Sequence, residues 1–116
     1  MAEQFLTVSD RQKLARIIEN VYDMQMGPAA RFGLLDRAGL RRFVPGTDLA
    51  QSPGVLAGVL IGKLETYGLL PTPPGQPVYH ALGALLNYVR ELSDTPPDEA
   101  KVLAEALVKY ELIGDA

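Results

Sequence analysis

Proline and glycine cut this chain into five stretches, and inside each one the apolar residues recur at intervals of three and four rather than two. That spacing lays one apolar stripe along an α-helix, and no run of alternating β-branched residues competes with it. The expectation is an all-α chain, a compact bundle of about five helices. The first is expected over 10–25, where Ser9 and Gln12 have capping-box spacing and Leu14, Ile17, Ile18, Val21 and Tyr22 form the stripe. Gly27-Pro28 stops it. The second is expected over 28–38, with Phe32, Leu35 and Ala38 inward, and Leu40 and Phe43 prolong it by a turn before Pro45-Gly46. Residues 44–51 read as a loop with Leu49 as an apolar plug. Ser52-Pro53 opens the third helix, 53–67, whose stripe is Val55, Leu56, Val59, Leu60, Leu64 and Tyr67 and whose stop is Gly68. The connection PTPPGQP lacks several amide donors and cannot be helical. Helices over 77–92 and 96–112 follow: Leu82, Leu85, Leu86 and Val89 face inward on one, Val102, Leu103, Ala106, Leu107 and Tyr110 on the other, and Thr95-Pro96 repeats the cap-then-proline start.

Length decides how these pieces combine. With 116 residues there is room for one core, and no stretch between prolines can bury its stripe alone, so 1–116 is expected to be a single helical interaction domain. The absence of cysteine excludes disulfides, thiolate nucleophiles and thiolate zinc sites. A cytoplasmic location is the expectation, because the first residues do not set a basic start before an apolar run as a secretory signal does.

Little in the sequence points to catalysis. His80 is the only histidine, no Gly-x-Ser-x-Gly turn accompanies it, and one histidine without cysteine does not make a zinc site. The expectation is that the chain is not an enzyme and takes no cofactor or metal. Carboxylates crowd the last quarter, at Asp94, Asp98, Glu99, Glu105 and Glu111, yet Asp98 and Glu99 fall in a helical first turn, where the macrodipole accounts for them. Gly54, Gly58 and Gly62 recur every fourth residue of the third helix, each costing about 1 kcal/mol relative to alanine. Close packing against a neighbouring helix is the expected compensation, with contact to a second chain the alternative. A membrane span is excluded because the apolar run meets Lys63 too soon.

Charge is the most informative feature. Residues 1–43 carry seven basic and five acidic side chains, whereas residues 44–116 carry four and nine. Arg31, Arg37, Arg41 and Arg42 are expected to form a basic patch around the second helix, and Asp98, Glu99 and Glu105 an acidic face on the last. Complementary patches set encounter and register between proteins, so these seven residues are the candidate partner-binding set. Homo-oligomers are compatible with such patches, since contact between unlike faces of like domains is heterologous. The overall charge of −3 and the scarcity of nearby aromatic residues argue against nucleic acid. A second reading is a small helical regulator that binds a ligand or nucleic acid in a groove beside Tyr67, Tyr79 and Tyr88.

Several short motifs carry a family likeness. Leu34-Leu35-Asp36-Arg37-Ala38-Gly39-Leu40, Asp48-Leu49, Ser52-Pro53, Leu64-Glu65-x-Tyr67-Gly68-Leu69-Leu70-Pro71 and LGALLNYVRE from Leu82 to Glu91 together make the chain resemble the effector-associated domains of bacterial conflict systems. These are small helical modules likened to death-like adaptor domains. The resemblance spans 34–91, about half the chain. It implies a death-like topology and docking to a partner that carries a similar module or to an effector of peptidase, TIR or NTPase type, and it brings no catalytic residues. The chain departs from the family pattern in having no effector fused to it, which implies either an excised region or a free-standing adaptor in bacterial immune signalling. Its three helical glycines also stand where larger residues are expected.

Overall fold

The computed structural model describes residues 4–114; the outermost residues of the expected 1–116 domain, 1–3 and 115–116, lie outside the described residues. It contains six α-helices: α1 (Val8–Glu19), α2 (Tyr22–Gln25), α3 (Pro28–Arg37), α4 (Pro53–Tyr67), α5 (Ala81–Arg90) and α6 (Pro97–Lys109). A 3-10 turn at Arg41–Phe43 follows α3, and two strands of two residues, β1 (Val78–Tyr79) and β2 (Ile113–Gly114), pair antiparallel. The all-α class is therefore the observed one.

The largest departure from the expected boundaries is at the first helix, which becomes two. Thr7, not Ser9, is the N-cap, accepting from the Asp10 amide at 3.1 Å. The helix stops at Asn20, whose amide closes the last turn, and Val21 takes an extended conformation before α2 begins. This break keeps Val21 and Met24 in the core but turns Tyr22 outward, 63% exposed, instead of onto the stripe. Phe32 is likewise not inward: Leu34 and Leu35 fill the α3 face, and Phe32 is 37% exposed.

On α4 the buried face is rotated from the expected one. Ala57, Ile61 and Glu65 join Leu56, Leu60 and Leu64 inside, while Val55 and Tyr67 are exposed. Ser52 holds the cap position but its hydroxyl makes no capping bond. Gly68 ends the helix at φ 97°, the left-handed region where a Cβ is disfavoured.

The last two helices start later than their prolines suggest. Val78–Tyr79 is a strand, held against Ile113–Gly114, and the His80 amide donates to the Leu112 carbonyl at 2.8 Å. Only then does α5 begin, with His80 as its cap. Thr95 does not cap α6; its hydroxyl turns back to the Val89 carbonyl at 2.7 Å, and Pro96 occupies the N-cap position.

Packing is dominated by two pairs, α1 on α4 and α5 on α6, joined through α4 and α5. Leucine supplies most of the fully buried residues of their shared core, with Ile18, Met24 and Ile61 among the rest. The glycines of α4 are not at a close helix contact. Space around Gly58 and Gly62 is open, and Gly54 meets only the Glu19 carboxylate, so the expected compensation by tight packing is overturned. The glycine that close packing requires is Gly83 on α5, where an added Cβ would press on the Leu112 carbonyl and lie 2.8 Å from the Leu112 Cβ.

Candidate interaction surface

The four arginines expected to share one patch are divided by the fold. Arg31 is 5% exposed. Its Nε donates to the Met24 carbonyl at 2.8 Å and its Nη1 to the carbonyls of Leu49 and Gln51, both at 2.6 Å. Those carbonyls lie at the end of α2 and in the loop before α4, which have no helical partner to satisfy them. Arg31 is therefore an internal clamp, and its place in an exposed patch is corrected.

Arg37, in the last turn of α3, is half-committed. Its Nε donates to the Tyr88 hydroxyl and its Nη2 to Asp23, each at 2.8 Å, linking α3 to α5 and α2. Arg41 and Arg42 differ from both. They sit on the 3-10 turn, and both are exposed. The Arg41 guanidinium lies 5.5 Å above the Phe32 ring, and its side chain is 73% exposed, with the Asp36 carboxylate at 4.0 Å. Arg42 reaches the Tyr67 hydroxyl at 3.3 Å, and the Tyr67 ring stands edge-on to Phe43 with centroids 4.9 Å apart.

An exposed surface results in which the Arg41 guanidinium lies over the Phe32 ring beside the exposed Asp36 carboxylate, and the Arg42 guanidinium donates to the Tyr67 hydroxyl. Phe32, Asp36, Arg41, Arg42, Val44 and Pro45 border an open concavity of about 610 Å³ within it. At Arg41 the aromatic face holds the cation in place while leaving N–H donors available.

The acidic residues are not brought to the arginines. Asp98 and Glu99 lie in the first turn of α6, Glu105 further along it, and none of the three forms an ion pair among the described residues. Glu105 instead borders a small depression with Asp10, Lys13 and Lys109. The tyrosines are also separated: Tyr79 and Tyr88 line one groove of about 320 Å³ with the proline-rich connection, while Tyr67 is on the arginine surface.

His80 is buried and structural in its contacts. Its Nδ1 accepts from the Leu82 amide at 3.0 Å, its Nε2 has no partner, and the Phe5 ring meets it edge-on at 5.4 Å. Burial lowers its pKa below the usual 6.5, outweighing the opposite pull of Glu65, so the neutral ring that the cap needs is the favoured form. Among the described residues no group of three His, Cys, Asp or Glu side chains is placed to hold a metal ion. No helix among them is long and apolar enough to cross a membrane.

Sequence reasoning missed Glu65, the one fully buried acid among the described residues. Its Oε2 accepts from the amides of Phe5 and Leu6 at 2.6 and 2.7 Å, and its Oε1 from Arg11 at 2.5 Å. Burial pushes its pKa up, but Arg11 and the two amides prevail and hold it below the usual carboxylate range. The available signal was its position four residues after Ile61 on the buried face of α4.

The exposed feature beside α3 is thus a cation–aromatic surface. The sequence pattern of effector-associated domain 8 matches residues 8–110. The chain belongs to that family. The match reaches from the start of α1 to the residue after α6, so this effector-associated domain includes all six helices and both arginine classes. No curated protein and no solved structure matches the chain.

Proposed function

We propose that this effector-associated domain is a non-enzymatic adaptor, a single helical unit that recruits an effector or a like domain through Arg41 and Arg42, with Arg37 at the edge. The observation that carries this reading is the exposure of two neighbouring arginines, Arg41 over the Phe32 ring and Arg42 bonded to the Tyr67 hydroxyl. Arginine and aromatic residues are the side chains that contribute most at protein interfaces, and a guanidinium sheds water more readily than an ammonium. The complementary partner surface bears carboxylates that approach both forks at once. Arg31 takes no part, since it is buried with its Nε and Nη1 committed to backbone carbonyls.

Capture of the effector partner from the native host by the immobilised domain tests this. Arg41→Glu/Arg42→Glu is expected to abolish capture with helical circular dichroism unchanged, and Arg41→Lys/Arg42→Lys to retain part of it because the charge remains while the fork is lost. Undiminished capture by the glutamate variant contradicts the proposal.

A further inference from the structure

A second concave surface shares no lining residue with the concavity beside Arg41 and Arg42. It is a groove of about 330 Å³ between α2 and the start of α6. Its floor is aliphatic, made by Ile17, Val21, Val89 and Leu92. Tyr22 and Met26 stand on the α2 side, 63% and 56% exposed, because the chain leaves α1 at Asn20. Methionine is unbranched and adapts to whatever packs against it, a property that suits docking surfaces more than surfaces facing water.

The rim fixes the sign of the occupant. Asp23, Asp94 and Glu99 line the groove, and no lysine or arginine does, in a chain that has eleven of them. Asp23 is paired with Arg37, but Asp94 and Glu99 enter no ion pair among the described residues. An aliphatic floor alone would accept any apolar side chain; carboxylates around it favour a cationic segment and repel an acidic one. We infer that the groove docks a basic amphipathic segment of a partner protein. An apolar side chain of that segment enters between Met26 and Leu92, and lysine or arginine residues flanking it meet Asp94 and Glu99. The domain then takes an acidic surface at Arg41 and Arg42 and a basic one here, and the two contacts are independent.

The test titrates the isotope-labelled full chain with an amphipathic leucine–lysine peptide and with its leucine–glutamate counterpart, followed through amide chemical shifts. Saturable binding of the lysine peptide is expected, with shifts at Val21, Tyr22, Met26 and Glu99. Asp94→Lys/Glu99→Lys is expected to weaken it about tenfold, as loss and reversal of rim charges does. Should that variant lose its helical signal, the neutral Asp94→Asn/Glu99→Gln pair serves, with a weakening of about threefold expected. In Arg41→Glu/Arg42→Glu the same groove shifts persist, which separates this contact from the arginine surface. Absence of saturable binding, equal binding of the glutamate peptide, or shifts centred on Phe32 and Val44 would overturn the inference.

Discussion

Arg31 lies in the first half of α3 and Arg41 four residues beyond its end, and their surroundings could hardly differ more. Three backbone carbonyls enclose the guanidinium of Arg31, whereas Arg41 has an aromatic ring beneath it and solvent above. A buried guanidinium is tolerable only when its donors are satisfied, and it then becomes part of what holds the chain together. An exposed one over a ring adds little to folding and keeps its donors for other molecules. The lesson is that cations within one stretch of sequence divide into those the fold consumes and those it displays, and only the second kind belong to an interface.

Truncation breaks this comparison most directly. Arg31→Ala leaves the carbonyls of Met24, Leu49 and Gln51 without their donor and is expected to cost about 3 kcal/mol in urea unfolding, a lower bound if the loop before α4 detaches. Arg41→Ala is expected to stay within about 0.5 kcal/mol of the unmodified chain. Equal losses in the two variants would erase the distinction.

Acid sharpens it, because folding lowers the pKa values of Glu65, Asp10 and His80. Glu65 has its pKa lowered in the folded chain, so its contribution is complete above the ordinary value of 4.5 and is lost as pH falls through the folded value. Asp10 is lowered from 3.8 to about 2 by its bonds to Lys109 and Tyr110, and its contribution disappears over that interval. His80 acts in the same direction: a base whose pKa is lowered by folding stabilises above 6.5 and ceases to do so below. The melting midpoint should therefore fall from pH 7 to pH 3. Glu65→Gln should lower it at neutral pH by an amount corresponding to about 2 kcal/mol and flatten the part of the curve below pH 5. A variant curve parallel to the original would contradict the role given to Glu65.

The glycines extend the contrast between inside and outside with smaller effects. Gly83→Ala forces a methyl group onto Leu112 and is expected to cost about 2 kcal/mol. Gly58→Ala, on the open side of α4, is expected to stabilise by about 0.5–1 kcal/mol through helix propensity alone. Both are read from thermal melts, and destabilisation by Gly58→Ala would mean that its backbone is covered by something.

Much of the architecture is legible in the sequence because helical periodicity and the proline–glycine stops report local physics. The α4 start at Pro53 and its end at Gly68 are local events, and they stand where the residues place them. The late start of α5 is not local: Val78 and Tyr79 become a strand because Ile113 and Gly114, more than thirty residues later, offer hydrogen bonds. Glu65 was hidden for the same reason, since its burial depends on the amides of Phe5 and Leu6 arriving from the far end of the chain. Of the candidate surface, Arg41 and Arg42 were identifiable as charged residues past a helix end. Phe32 beneath Arg41 was not, because periodicity alone assigns it inward and only the packing of Leu34 and Leu35 shows which side of α3 is full.

The central claim is that Arg41 and Arg42 serve contact and not folding, and it is tested by measuring thermal unfolding and partner capture on one preparation of Arg41→Glu/Arg42→Glu. A melting midpoint within about 2 °C of the unmodified domain together with lost capture is the predicted result. A midpoint that drops as far as that of Arg31→Ala, or capture that survives the double reversal, would contradict it.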